Sequence, residues 1–188
     1  MTIQEQTQPR TRYTAQNIYE FSLQGQHYEL LNGELFEMTP AKQDHGAVAN
    51  MFAYWLTAFV IPNKLGVVYA AETGFTLPNG DVLAPDVSFT RKERIQPEGV
   101  GFSTVAPDLV VEVDSPSNTK IGMQEKVDAY FAAGVRQVWL VYHRPRKVYR
   151  YTSPTQVTIY QNGDWLDGGD VLPGFHVQVN DLFSVLDA

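Results

Sequence analysis

A carboxylate within an otherwise apolar strand most constrains how this chain can fold. Residues 108–113 have the sequence DLVVEV, and a short run of valine and leucine is typical of a strand that is covered on both faces. Side chains alternate along a strand, so Asp108, Glu112 and Asp114 share one face. Burying Glu112 between valines without a partner is costly. The segment therefore predicts either an ion pair or a bound metal at Glu112.

The rest of the chain alternates short apolar runs with amphipathic segments. Apolar residues recur every three or four positions over 43–60, which predicts a helix of that length. The other predicted elements are a helix capped by Thr14, hairpin turns at Asn32-Gly33 and Asn79-Gly80, strands over 67–70, 73–77, 137–142, 147–152 and 157–160, and a helix of about 15 residues that ends near Gly134. This order predicts an α/β (α+β) fold in which helices pack on a central mixed β-sheet.

The composition limits the classes of protein to which this chain can belong. The chain has 188 residues, 44% hydrophobic and 19% charged, which suits one globular domain over 13–188 after a flexible arm at 1–12. There is no cysteine, which excludes disulfides and thiolate-bound zinc. No leader and no apolar run of roughly 18 residues is present, so we expect a cytoplasmic protein with no membrane segment.

The net charge of −7 is unfavourable for binding nucleic acid, although a local basic face is enough. The most basic segment is 144–150, RPRKVYR, with arginines at 144, 146 and 150 and a lysine at 147. It is suited to gripping a phosphate backbone. A solvated hairpin explains the same pattern, and the sequence leaves both interpretations open.

A second acid, Asp86, lies at the start of another predicted strand, in APDVSF. If Asp86 and Glu112 converge from neighbouring strands, they form a hard-oxygen site that suits Mg²⁺ or Mn²⁺. The alternative is that an arginine or a backbone amide pairs with Glu112, and Pro-Asp is also a common turn dipeptide.

A metal-assisted phosphodiesterase also needs positive charge near the reacting phosphate. Lys126 borders the apolar face of the predicted helix after residue 115, where its stem can lie along the core. A lysine that only snorkels to solvent explains the same spacing. Lys120, at the start of that helix, is the competing candidate.

Three further residues are weaker site candidates. Asp108 shares the Glu112 face and either completes the acidic site or begins a strand. Glu72 precedes the strand that leads to Asp86 and is a candidate extra ligand. His45 lies on the inward face of the 43–60 helix, where it is a candidate to contact the metal shell or the phosphate, and a histidine that only forms a hydrogen bond explains the same position.

Four segments together carry a family resemblance: APDV, PDLVVEVDSPSN, KVDAYFAAGV and QVWLVY. They resemble the Uma-type family of restriction endonucleases, within the PD-(D/E)XK nuclease superfamily, over nearly the whole chain. The resemblance implies a restriction-endonuclease-like core with Asp86 as the first acid and Glu112 as the second. The pattern departs at Asp114, which stands where the superfamily has lysine, and the counterpart implied for that lysine is Lys126.

The resemblance also implies a function. It implies a metal-dependent DNA endonuclease that hydrolyses phosphodiester bonds, with Asp86, Glu112 and Lys126 as catalytic residues. Mg²⁺ or Mn²⁺ would be held by the two acids, and Asp108 is added as a metal ligand from its position on the Glu112 face, not from the resemblance. By analogy, cutting both strands of a duplex favours a homodimer.

Two other functions remain open from the residues alone. One is a catalytically silent protein of the same fold that binds nucleic acid or protein. The other is an enzyme such as a sugar hydrolase that uses the two carboxylates as an acid–base couple. The second of these predicts activity in the presence of a chelator, whereas the nuclease predicts none.

Overall fold

A six-stranded mixed sheet forms the centre of the fold. The computed structural model describes residues 12–97, 99–115 and 122–187. From one edge to the other, the strands are β10 (Gln156–Tyr160), β9 (Lys147–Ser153), β8 (Gln137–Tyr142), β7 (Leu109–Val113), β6 (Val87–Arg91) and β3 (Gly66–Ala70). Strands β7 and β8 are parallel, and the other neighbours are antiparallel. This is the mixed sheet that the sequence predicts.

Helices and smaller sheets surround this sheet. The helices are α1 (Ala15–Leu23), α2 (Gln43–Val60), α3 (Met123–Ala132) and α4 (Val179–Phe183), with 3-10 turns at Lys92–Arg94 and Ser184–Asp187. A four-stranded sheet has the order β2 (Glu34–Glu37), β1 (Tyr28–Leu31), β5 (Val82–Leu83) and β4 (Phe75–Thr76), and β11 (Trp165–Asp167) pairs with β12 (His176–Gln178). No helix in the described ranges is long and apolar enough to cross a membrane.

The two faces of β7 pack into different cores. Val111 and Val113 belong to the core formed with α2 and α4. Val110 belongs to the core formed with α3, where it joins Val127 and Tyr130. Because side chains alternate along the strand, Glu112 lies on the same face as Val110 and therefore faces α3.

The local signals at the first helix and the first hairpin are confirmed. Thr14 caps α1 in a capping box, in which its hydroxyl accepts from the Asn17 amide and the Asn17 side chain accepts from the Thr14 amide. Asn32 and Gly33 both have positive φ, at 53° and 78°, as a two-residue turn between β1 and β2 requires. Helix α2 has the predicted bounds.

Two elements are shorter than predicted. Helix α3 has ten described residues rather than about 15, and residues 116–121, where its start was expected, lie outside the described ranges. Strand β4 has two residues rather than five, because Leu77 closes a tight turn with Asp81 and Thr76 bonds to the carbonyl of Ser103. Gly134 follows α3 with a φ of 91°, as expected for a helix terminator.

Candidate functional site

The pairing of β6 with β7 brings Asp86 and Glu112 to the same point of the sheet. Val87 lies opposite Val111 in the antiparallel register. Asp86 precedes Val87 and Glu112 follows Val111, so the two acids leave neighbouring strands side by side. The Asp86 Oδ2 atom accepts a hydrogen bond of 2.7 Å from the backbone amide of Val113. The side chain of Asp86 is 17% exposed, whereas that of Glu112 is 3% exposed.

Helix α3 supplies two donors to Glu112. The Lys126 Nζ atom lies 3.2 Å from Oε1 and 3.1 Å from Oε2, and the Tyr130 hydroxyl donates to Oε1 at 2.6 Å. Lys126 and Tyr130 are four residues apart, one helical turn, and therefore share the face that packs on the sheet. Lys126 is buried, so its ammonium turns inward to the acids rather than snorkelling to solvent.

A third buried carboxylate, Glu29 of β1, completes the group and was not singled out from the sequence. Its two oxygens lie 3.0 and 2.9 Å from the Lys126 Nζ atom, and its Oε1 also accepts from the Ala84 amide at 3.0 Å. The available signal was an acid in the apolar run YELL, which alternation places on the same face as the buried Leu31.

The charges in this group are unbalanced. Burial raises the pKa of Glu112 to about 7, with the Lys126 ammonium opposing the shift and Glu29 and Asp86 adding to it. Burial alone would lower the pKa of Lys126, but Glu112 and Glu29 outweigh it and raise that pKa, so the lysine stays charged. Burial and Glu112 raise the pKa of Tyr130, which keeps its hydroxyl as a donor. Two described carboxylates, Glu29 and Glu112, thus share one lysine ammonium, and Asp86 adds negative charge beside them, so a bound cation would stabilise the ionised form of Glu112.

His45, in the first turn of α2, holds the other acid. Its Nε2 atom lies 2.9 Å from Asp86 Oδ1. Burial alone would lower the pKa of His45, but the hydrogen bond and charge of Asp86 outweigh it and raise the pKa. His45 therefore contacts one of the two acids of the candidate site, and its role beside a bound metal or a phosphate stays a prediction.

A pocket of about 500 Å³ opens over these residues. Its wall includes Glu29, His45, Asp86, Glu112 and Lys126, together with alanines at positions 41, 49, 53, 70, 71 and 84. Glu72 also lines the pocket, with an exposed side chain that makes no hydrogen bond or ion pair to another described residue. Its φ of 68° is unusual for a side chain larger than glycine. The small alanine side chains leave room in the pocket for a bound group.

Asp108 lies elsewhere, and the expectation that it completes the acidic site is corrected. It is at the start of β7, whereas Glu112 is near the end of that strand. Arg94 Nη1 lies 2.9 Å from its carboxylate, and the Arg91 amide donates to it at 2.9 Å. Asp108 and Glu112 lie on the same face of the strand but at opposite ends of it, because four residues of strand span roughly 13 Å.

Asp108→Asn is therefore expected to weaken the fold without affecting the site. The change removes the buried charge that holds Arg94 and Arg91, and we expect a loss of about 2 kcal/mol in the free energy of unfolding. Chemical denaturation measures this loss, and a metal titration of the same variant should match wild type. If Asp108→Asn instead lost metal affinity and kept the stability of the wild type, Asp108 would be a residue of the metal site.

The basic segment at 144–150 is partly neutralised. Arg146 forms a two-bond ion pair with Asp187, and Arg150 forms an ion pair with Asp167. These ion pairs favour the interpretation of the segment as a solvated hairpin over its interpretation as a binding site for a phosphate backbone. Lys120, the competitor of Lys126, lies outside the described residues.

Comparison with known proteins identifies the family. The family model described as "Uma2: Putative restriction endonuclease" matches residues 15–180, most of the chain. The chain belongs to the Uma2 family. A solved structure described as a putative nuclease belonging to DUF820, from Anabaena variabilis ATCC 29413, matches with a TM-score of 0.79 at 18% identity, over 93% of this chain and 99% of that chain. At this identity the match shows a shared fold. No curated protein matches the chain.

In this Uma2 chain, the acid at position 114 forms a hydrogen bond between strands. The Asp114 Oδ1 atom accepts from the backbone amide of His143 at 2.8 Å, which ties the ends of β7 and β8 together. The ammonium beside the acids comes from Lys126 of α3 instead.

The side chains of this Uma2 site suit a hard divalent cation. No three His, Asp or Glu side chains in the described ranges are grouped so as to hold a metal ion. Mg²⁺, however, is commonly held by one or two carboxylates, with water and substrate phosphates filling the remaining positions. Each carboxylate oxygen has two lone pairs, so Asp86 and Glu112 keep acceptor capacity beside their present hydrogen bonds.

Proposed function

We propose that this Uma2 protein is a metal-dependent DNA endonuclease that hydrolyses phosphodiester bonds. The observation that carries the proposal is the buried group in which Lys126 is held between Glu29 and Glu112, beside Asp86 and beneath an open pocket. The excess of carboxylates favours Mg²⁺ or Mn²⁺, and membership of the family supports a nucleic-acid substrate.

Each residue of the group has a role in this proposal. Asp86 and Glu112 would hold the cation, which when bound activates water and offsets charge on a phosphate. The Lys126 ammonium would orient the attacking water and counter the charge that builds on the phosphate in the transition state. His45 and Tyr130 fix the two carboxylates through the hydrogen bonds described above.

The direct test is a cleavage assay. Purified protein is incubated with supercoiled plasmid, single-stranded DNA and RNA, each with Mg²⁺, Mn²⁺ or EDTA. We expect DNA to be cut with either metal and to remain intact in EDTA. Activity that persists in EDTA would favour an acid–base hydrolase, and failure to cut any substrate with either metal would favour a silent binding protein.

Glu29→Gln is expected to reduce turnover by about tenfold while leaving KM unchanged, and metal affinity should fall modestly because one nearby negative charge is removed. Glu29 acts in this account as a positioning residue, because it fixes the Lys126 ammonium through two contacts. Loss of a group that orients a catalytic side chain typically costs 10- to 100-fold in activity. Steady-state kinetics measures the separation of kcat from KM.

The matched control for this change is Glu20→Gln, on the exposed side of α1. It removes the same charge and should leave kcat unchanged. If Glu29→Gln lowers the melting temperature but keeps the wild-type kcat per folded molecule, Glu29 is structural and does not position Lys126.

We also propose that the protein is a homodimer. Cleavage of both strands of a duplex favours two related sites, and two-fold dimers are the commonest closed assembly. In such an assembly each chain would supply one pocket.

A further inference from the structure

Strand β10 is an open edge of the central sheet. It pairs with β9 on one side and is the terminal strand in the sheet order. The register shifts between Gln156 and Val157, so the regular part of the edge is 157–160. The backbone groups on its outer side have no strand partner among the described residues. Such an edge is ready to pair with another strand.

The side chains of this edge are uncharged, and two of them are exposed aliphatic groups. Val157 is 43% exposed and Ile159 is 49% exposed. They lie opposite Tyr151 and Tyr149 of β9, so the four side chains share one face of the sheet. Sequence positions 151–163 contain no Asp, Glu, Lys or Arg, although the chain as a whole carries a net charge of −7. The charges and prolines that commonly protect an edge strand are missing from 157–160.

We propose that β10 pairs in antiparallel fashion with β10 of a second copy of this chain. This inference deepens the proposed homodimer and rests on that part of the proposed function. The two central sheets then become one continuous sheet across a two-fold axis.

The absence of charged side chains on β10 favours a second copy of this chain as its partner. A strand without charge meets no like charge when it lies against itself, and it offers no opposite charge to a charged peptide. In a pair centred on Thr158, Val157 of each chain lies opposite Ile159 of the other, which forms aliphatic cross-strand pairs on one face.

This interface leaves the candidate active site open. In the sheet order, β8 and β9 separate β10 from β7, which carries Glu112. The pocket is lined by no residue of β8, β9 or β10. Each copy would therefore keep its own accessible pocket.

Cysteine cross-linking tests the interface, since the natural chain has no cysteine. A thiol is placed on the edge at one of three positions by Val157→Cys, Thr158→Cys or Ile159→Cys. The residue on the two-fold axis lies opposite the same residue of the other chain, so a cysteine at that position is within disulfide distance of its counterpart. We expect at least one of the three to form a disulfide dimer under mild oxidation at micromolar concentration. The control is Val67→Cys on β3, the opposite edge, where Val67 is 37% exposed. Cross-linking of Val67→Cys alone would overturn the proposal.

Charge insertion gives a second test. Ile159→Lys places one ammonium from each chain at the interface, where the two repel each other. We therefore expect the dimer Kd to rise by about tenfold or more. Val67→Lys should leave the Kd unchanged, and thermal melting verifies that both variants fold. Light scattering of wild type at micromolar concentration should give twice the chain mass of 21.1 kDa.

The outcomes separate this interface from the proposed chemistry. A wild-type protein that cuts DNA but scatters as a 21.1 kDa monomer overturns the interface and leaves the nuclease. A dimer that Ile159→Lys dissociates, but that cuts nothing with either metal, supports the interface and overturns the nuclease. A dimer that Ile159→Lys leaves intact overturns the β10 interface.

Discussion

Lys126→Met is expected to reduce turnover by about a hundredfold or more, on the scale of losing one preorganised electrostatic group. Among the described residues that line the pocket, Lys126 is the one lysine or arginine. Methionine keeps the length of the stem and removes the ammonium that contacts Glu112 and Glu29. Single-turnover kinetics with saturating metal measures the effect on the chemical step.

The same change also removes the cation that separates two buried acids. Glu29 and Glu112 would then share a buried space without a counter-charge, and breaking a buried ion pair by removing one partner typically costs about 3–5 kcal/mol. Lost turnover could therefore come from lost folding, which the single variant does not distinguish from lost catalysis.

A double variant makes the distinction. Glu29→Gln combined with Lys126→Met removes one negative charge along with the positive charge, and we expect most of the stability to return. Turnover should stay low, because the ammonium is still missing. Metal affinity should stay close to that of the wild type, since one positive and one negative charge are removed together. Recovery of wild-type turnover in the folded double variant would rule out a catalytic role for Lys126.

Lys120→Ala is the control for the choice of lysine, and it should change turnover only slightly. If Lys120→Ala is inactive while Lys126→Met cleaves normally, the assignment of the catalytic ammonium is wrong. The contacts of Lys126 with two acids at 2.9 to 3.2 Å would then serve the fold alone.

Asp86→Asn and Glu112→Gln are each expected to abolish metal binding and cleavage while the fold survives. Asparagine keeps an acceptor for the Val113 amide, whereas alanine would leave that donor unpaired at a cost of about 1–3 kcal/mol. Glutamine keeps an acceptor for the Tyr130 hydroxyl, Lys126 keeps Glu29 as its counter-ion, and the repulsion between the two acids is relieved, so we expect stability close to that of the wild type. Thermal melting and the plasmid assay measure both effects.

Asp108→Asn is the matched control for these two variants, because it removes the same charge from the far end of β7. It should still bind metal and cut DNA. Wild-type cleavage by Asp86→Asn would place the chemistry outside the β6–β7 site.

Features that depend on neighbouring residues were predictable from the sequence. Burial of Glu112 follows from the valines on both sides of it, and the Asn32-Gly33 turn follows from the positive φ that a short hairpin needs. The proximity of Asp86 and Glu112 followed from two acids on neighbouring strands, and the register of β6 with β7 agrees with it.

Features that depend on distant parts of the chain were not predictable. Glu29 is 97 residues from Lys126, and no local pattern sets the β1 hairpin against α3. Spacing along α3 also left open whether Lys126 points to solvent or inward, because that depends on which charges lie beneath the helix. Asp108 was misplaced because alternation fixes the face of a strand but not which end of it faces the pocket.

Calorimetric titration of Mn²⁺ into the wild-type chain, Asp86→Asn, Glu112→Gln and Asp108→Asn is the decisive measurement for the metal site. We expect saturable binding to wild type and to Asp108→Asn, and no binding to Asp86→Asn or Glu112→Gln. Unchanged affinity in both Asp86→Asn and Glu112→Gln would show that the cation binds elsewhere, and it would contradict the assignment of these acids as the metal site.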